Sequence, residues 1–598
     1  MRSTRVMLFA VVGVLTALVL AACGSSSESG SSSSATGNGA SVVTPAGYQS
    51  SVDESLSGKR GGTLEVLQEA DFEHLDPGVT YFALDYTVVF ATQRPLYSNE
   101  PNSNEPIPDI AAGKPEVSAD NKTITVHLKE GIHFSPPVNR EVVAQDVAYA
   151  IERGANPNVA NPYIQTYFSS IEGMPKAEGG PIKGIETPNK HEIVFHLTEP
   201  KGFFVAEALC LPLTAAVPKE YAEKFDKSKP SAYTNYQVAT GPYMLKNNAE
   251  GKVLGIGYVP GKSATLVRNP NWNAKTDFRP AYLNEIKIHL GGTQAVIDRQ
   301  VLEGKSVVQN EPVVQSAVKL AAEHYKSQLD LSPGAGNRYI TLNNKVPPFN
   351  NLDLRKAVYA AVDRAALDRE RGGTLVTNVA THFIYPTIPG FEQSGGLAGP
   401  KVDYNEHPEG NMAVAEKYMK LAGYPSGKYT GTKTVQVVGA SSAPEKEDAE
   451  IVNQTLKNLG FNTKLTLVEI STMYAKYCDA PKEEIEVCPT VGWIADFADP
   501  QTVLKPTFDG NSIVSTGNVN QGQVNIPKIN EAMAAAELIK GKEEREKAWG
   551  KIDEELIENA VAIPYDWEKS PRLAASNVHG VAMLWNEGSW DYSFTSLK

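Results

Sequence analysis

The sequence predicts an α/β fold with mixed sheets, divided into two or three lobes. Two observations carry this expectation. Short stretches that alternate apolar and polar residues trade places throughout with stretches of helical spacing, the mark of interleaved strands and helices. The chain also has 598 residues. Beyond its N-terminal segment, roughly 540 remain, more than a single hydrophobic core organises.

The elements follow in order. GGTLEVLQEA (61–70) alternates Leu64 and Val66 with polar neighbours after a Gly pair and reads as a strand. KTITVHLKEGIHF (122–134) puts Ile124, Val126 and Leu128 on one face and turns at Gly131. NREVVAQDVAYAIERG (139–154) switches to helical spacing, with Val143, Val147, Ala150 and Ile151 on one side. HEIVFHL (191–197) and AYLNEIKIHL (281–290) return to period two. LDLRKAVYAAVDRAAL (352–367) reads as one helix with Leu354, Val358, Ala361 and Val362 inward. A strand over 433–440, a helix over 447–459 stopped by Gly460 and a strand over 461–468 follow. Residues 529–560 are largely helical, interrupted near Gly541. No internal repeat is visible.

Composition is ordinary: 41% hydrophobic, 21% charged, 8% aromatic, with a net charge of −13. An acidic body disfavours nucleic acid, because neutralising phosphates needs clustered Lys and Arg. No segment after residue 22 is apolar for the roughly 20 residues a membrane helix needs.

The N-terminus is different. Arg2 and Arg5 precede an apolar run from Val6 to Leu20 that holds no acidic residue. That run falls short of a membrane span and has the build of an export signal. It ends in Leu20, Ala21, Ala22 and Cys23, which resembles the lipobox of bacterial lipoproteins. The resemblance implies a signal peptide over 1–22, diacylation of Cys23 and a protein held at the extracytoplasmic face of the cell membrane. Residues 23–58 are rich in Ser and Gly. They cannot bury enough surface to order themselves, so they read as a flexible tether reaching about 30 Å.

In such an oxidising compartment Cys478 and Cys488, ten residues apart, are expected to form a disulfide. Cys210 lies in the apolar run AEALCLPLTAAVP and reads as a small buried hydrophobe.

Catalytic patterns fail on inspection. HEIVFH (191–196) has one residue too many for H-E-x-x-H and alternates like a strand. The run ending in Gly261, Lys262 and Ser263 carries Ile256 where a phosphate loop needs glycine. There is no Gly-x-Ser-x-Gly elbow, and the ten histidines are scattered. No enzyme activity, metal site or cofactor is expected.

Four stretches together resemble the extracytoplasmic solute-binding proteins that feed peptide and nickel ABC transporters (family 5). They are PDIAAGKPEVSADNKTITVHLKEGIHFSPPVNREVVAQDVAYAIER (108–153), ATGPYMLK followed by GKSATLVRNPNW (239–272), LNNKVPPFNNLDLRKAVYAAVDRAAL (342–367) and GWIADFADP (492–500). The first departs from the family in lacking a Trp near Lys114 and a Gly around Pro136 or Pro137. The resemblance implies a two-lobed, type II periplasmic-binding-protein-like fold with an extra small domain and a ligand cleft between the lobes. By analogy the first lobe takes 59–105, 225–335 and 561–598, the small domain 106–224, and the second lobe 336–560.

It also implies the function: a monomeric lipoprotein receptor that hands peptides, or another small solute such as a nickel chelate or a sugar, to a membrane permease. In peptide-binding members the aspartate matching Asp496 pairs with the ligand's α-ammonium. Asp496 stands between apolar Ile494, Ala495 and Phe497, as a cleft wall would. A blander alternative makes Asp496 a cap for the following turn. Trp493 is expected to offer an apolar wall, and Tyr81, Phe82 and Arg371 to line the cleft by position alone. A surface lipoprotein that kept the fold and lost transport is the alternative function.

Overall fold

The computed structural model describes residues 55–598, except 105, 176–178, 516, 581 and 585–588. The signal segment, Cys23 and the tether up to residue 54 lie outside the described residues.

Three packed bodies are arranged around two shared strands. In the first lobe, Thr63–Gln68 runs parallel to Glu285–Leu290 and to Val307–Gln309. Ser263–Arg268 then pairs antiparallel with Glu285–Leu290 and with Tyr243–Leu245. The alternation read from the sequence explains the fit. Leu64 and Val66 are fully buried between half-exposed neighbours, and Ile286 and Ile288 face them from the next strand. Burying each such side chain contributes about 1.5–3 kcal/mol.

The small domain carries a four-stranded antiparallel sheet, in the order Glu116–Val117, Thr123–His127, Glu192–His196, Ile185–Asn189. Helix Ala144–Gly154 lays Val147 and Ile151 on Ile124, Val126, Ile193 and Phe195. One residue of this core comes from far along the chain: Phe497, of the second lobe.

The second lobe has a six-stranded mixed sheet ordered Thr377–Asn378, Ala562–Leu573, Leu329–Leu342, Val487–Ile494, Thr434–Ala440, Asn462–Val468. Helices cover both faces, so the sheet has two separate cores. A disulfide joins Cys478 to Cys488 and ties the turn Met473–Cys478 to the strand Val487–Ile494. Cys210 is buried and outside any disulfide.

The two shared strands are the hinge. Leu329–Leu342 and Ala562–Leu573 pair antiparallel along most of their length. Leu329, Leu331 and Leu573 pack in the first lobe's core. Tyr339, Ile340, Leu342, Ala562, Ile563 and Trp567 pack in the second lobe. Each strand thus changes cores partway, and the register slips between Ser332 and Gly336, where the change occurs.

One expectation needs correcting. Residues 352–367 form two helices, Leu352–Ala361 and Arg364–Glu370. The Asp363 carboxylate accepts from the Ala366 N–H and caps the second helix, which ends the first.

Candidate functional site

Asp496 follows the strand Val487–Ile494 by two residues and stands where the second lobe meets the rest of the molecule. Its carboxylate is buried, at 7% exposure. Tyr167, on the short helix Ile164–Phe168 of the small domain, donates its hydroxyl to Asp496 Oδ2. Tyr81, just ahead of helix Ala83–Thr92, adds a second hydroxyl hydrogen bond. Burial pushes the Asp496 carboxyl up to about 6, against the opposing pull of these two hydroxyls. Burial and the Asp496 charge together hold the Tyr167 phenol well above its ordinary range, so it stays protonated and donating.

Aromatic rings surround the pair. Phe497 meets Tyr167 edge-on at 5.1 Å and Phe204 at 5.3 Å. Tyr163 lies 5.4 Å from Tyr81 and 6.2 Å from Tyr167. These rings exclude water on one side, and Tyr81, 41% exposed, opens the site on another. The turn after Asp496 is capped by a different residue: Asp499 Oδ1 accepts from the Gln501 N–H at 2.8 Å, and Arg545 clamps both Asp499 oxygens at 2.6 and 2.9 Å. Asp496 is therefore not the turn's cap.

The remaining candidates sit in three places. Trp493 turns its ring toward its own lobe's core and donates its indole N–H to the Thr502 carbonyl at 2.7 Å. Its neighbour Ile494 is the exposed one, at 42%. Phe82 is half-buried at the start of the helix that follows Tyr81. Arg371 is not beside Asp496. It sits at the hinge among Glu445, Asp448, Asp566 and Glu568. The structure brings Tyr81 alone of these to Asp496. Tyr167 was missed. Its one sequence signal is the spacing of Tyr163 and Tyr167 in PYIQTYF, which puts two aromatics on one helical face.

Further contacts join the small domain to the second lobe. Lys201 pairs with Glu537 at 3.3 Å, Lys540 donates to the Ala119 carbonyl, and the Arg545 guanidinium lies 5.7 Å from the Phe204 ring. Beside them a cavity of ≈ 380 Å³ is walled by Tyr97, Lys114 and Phe203 on one side and Pro389, Asp499 and Lys542 on the other. Among the described residues no group of three or more His, Cys, Asp or Glu could hold a metal ion. No helix among them is long and apolar enough to cross a membrane.

Comparison with known proteins agrees with this layout. Residues 105–514 match the profile of the bacterial extracellular solute-binding proteins, family 5 Middle. The chain is 24% identical over 471 residues to the periplasmic oligopeptide-binding protein OppA of Escherichia coli (strain K12), a match covering 77% of this chain and 79% of that protein. It is 25% identical over 449 residues to heme-binding protein A of Haemophilus influenzae, covering 73% and 74%. Two solved structures share the fold. Clavulanic acid biosynthesis oligopeptide binding protein 2 superposes with a TM-score of 0.78 at 23% identity, covering 90% of this chain and 96% of that one. The binding protein DppA of Helicobacter pylori, in complex with peptide STSA, gives 0.70 at 20% identity, covering 90% and 98%.

Proposed function

This chain belongs to the bacterial extracellular solute-binding proteins of family 5, and we propose that it captures peptides by their free α-ammonium and delivers them to an ABC permease. The observation that carries the peptide reading is the buried Asp496 carboxylate, held across the lobe boundary by Tyr167 and Tyr81. A primary ammonium has three N–H donors. The carboxylate and the two phenolic oxygens offer acceptors for all three. A cation swallowed between lobes needs such a counter-charge, or several kcal/mol are lost. Relatives named for oligopeptides, and a structural neighbour holding a peptide, support the same reading.

Calorimetric titration tests it. Wild-type protein should bind a free-amine peptide and lose about 3–5 kcal/mol, roughly 150- to several-thousand-fold, when the amine is acetylated. Asp496→Asn should lose a similar amount for the free peptide and little more on acetylation, closing a double cycle. Equal binding of both peptides to the native protein rules out an ammonium role for Asp496. A relative named for heme keeps a second reading in view, that of another small solute. Binding of such a solute without any peptide would favour it.

Delivery requires that the receptor stay near its permease. We infer that Cys23 is diacylated and that residues 23–58 leash a monomeric body to the membrane. Cys23→Ala should then leave soluble or unprocessed protein on cell fractionation. Unchanged anchoring of a normally shortened chain would overturn the lipoprotein reading.

A further inference from the structure

Tyr81 ends a loop of the first lobe, and two bodies hold that loop. Upstream, the Asp85 carboxylate of the same lobe accepts from the Glu73 and His74 N–H groups at 3.0 and 2.8 Å. Downstream, residues 76–80 fold into a turn around Asp76. The Val79 and Thr80 N–H groups and the Thr80 hydroxyl donate to the Asp76 carbonyl, and the Gly78 N–H donates to Asp76 Oδ1 at 2.8 Å. The Asp76 carboxylate therefore sets the orientation of the turn from which Tyr81 emerges.

The small domain grips that carboxylate. Arg153, in helix Ala144–Gly154, donates from Nη1 and Nη2 to the two Asp76 oxygens, each at 2.8 Å. The other edge of the guanidinium donates to Asp226, from Nη2 at 2.8 Å and from Nε at 3.1 Å. Asp226 in turn accepts from the hydroxyls of Tyr149 and Ser231. The Tyr233 ring lies 4.8 Å from the guanidinium carbon. All three charged groups are buried, at 2%, 2% and 5% exposure for Arg153, Asp76 and Asp226. Burial works against the Arg153 charge, and Asp76 and Asp226 overcome it and hold the guanidinium well above its ordinary range. It stays charged wherever Asp496 titrates.

A planar fork fixes direction as well as distance, whereas an ammonium would keep the charge and lose the angle. Two further features tighten the grip. Asn161 of the small domain donates its side-chain amide to the Gly78 carbonyl at 3.0 Å. Gly78 leaves room for the fork, since a Cβ there would lie 2.4 Å from Arg153 Nη1. The small domain also carries Tyr167, the other hydroxyl donor to Asp496.

We propose that Arg153 is a positioning residue: through Asp76 it aims the Tyr81 hydroxyl at Asp496, so that Tyr81 and Tyr167 meet the carboxylate as one unit. Its bearing on capture rests on the peptide reading of Asp496. Groups held in place before a ligand arrives need not be ordered when it binds, which favours affinity.

Carbon-13 NMR of the Asp496 carboxyl in the unliganded protein tests the positioning, with the signal assigned by its loss in Asp496→Asn. The titratable groups that face this carboxyl are the phenols of Tyr81, Tyr163 and Tyr167. The wild-type midpoint should lie at about 6. Tyr81→Phe should raise it by about one pH unit, because a hydrogen bond to the charged form is lost. Arg153→Lys should raise it by about half a unit or more, and should add nothing further in the Tyr81→Phe background. A merely structural role would not move the midpoint. Gly78→Ala leaves every charge in place and crowds the fork, so it should act like Arg153→Lys; melting curves report that each variant folds. A midpoint that neither substitution moves, or a shift that adds in full to that of Tyr81→Phe, would overturn the proposal.

Calorimetry with tetra-alanine at pH 7 reads the consequence for capture. Affinity should fall about threefold or more in Arg153→Lys, and no further in the double variant. Unchanged affinity would overturn the role in capture. A shifted, non-additive midpoint in a protein that binds no peptide would support the positioning and refute the ammonium reading.

Discussion

Two buried anionic centres lie on the same lobe, and they are stabilised by opposite means. Asp496 is a single carboxylate held by neutral hydroxyl donors and enclosed by rings. The hinge cluster gathers several carboxylates around two guanidiniums. Neutral donors stabilise a buried charge only partly, so the Asp496 carboxyl remains titratable near neutrality, at about 6. In the hinge cluster two guanidiniums hold Glu568 down at about 2, whereas burial outweighs Arg371 at Asp448 and pushes its carboxyl up to about 7. The first arrangement suits a group that must exchange its partners for a ligand's. The second suits a group that must hold two hinge strands and two helices in place.

Removing one charged member of each centre separates them most. Arg371→Met leaves several carboxylates uncompensated and should cost about 3–5 kcal/mol of folding stability. Urea denaturation reads that loss. Asp496→Asn, by the same measurement at pH 7, should cost nothing or stabilise, since it removes a buried charge. Equal losses in both variants would erase the contrast.

Acidity is the next lever. The folded-state value of Asp496 lies above its ordinary value, so the folded protein binds this proton more tightly than the unfolded chain. The group therefore costs stability at neutral pH, by up to about 3 kcal/mol. That cost disappears as pH falls from above 6 toward the ordinary value of 3.8. The stability difference between Asp496→Asn and wild type should accordingly shrink on acidification. Affinity for a free-amine peptide should fall over the same range, as protonation removes the counter-charge. A flat affinity from pH 7.5 to 5 would contradict the second statement, and an unchanged stability difference over that range the first.

The smallest effect is the most local. Tyr167→Phe removes one of the two hydroxyls that hold the Asp496 charge. The midpoint of the pH-dependent loss of binding should rise by about one unit, some 1.4 kcal/mol. An unmoved midpoint would mean that the tyrosine only packs.

The contrast also explains what could be read from the chain alone. Strands that keep one face in one core alternate cleanly, and Leu64 and Val66 are an example. The hinge strands do not alternate. Ala562–Leu573 is apolar on both faces where it crosses between the second lobe's two cores, then carries Asp566, Glu568 and Lys569, with Pro564 and Pro571 interrupting it. Its neighbour Leu329–Leu342 includes Pro333, Gly334 and Gly336. Asp496 was legible because GWIADFADP is a contiguous motif. Tyr167 was not, because it arrives from 329 residues away. Arg371 was placed at the site by position, whereas the carboxylates that claim it come from two other elements.

Phe497 sets a clock. It is 2% exposed between Tyr167 and Phe204, on a domain other than its own. Returning a phenylalanine to water costs about 1.5–3 kcal/mol, which by itself lowers the open population some 10- to 150-fold. We infer that this contact weakens the apparent affinity for a solute that needs the open form by the same factor. The same ring delays escape. Residence time, as much as affinity, thus depends on one side chain of the second lobe.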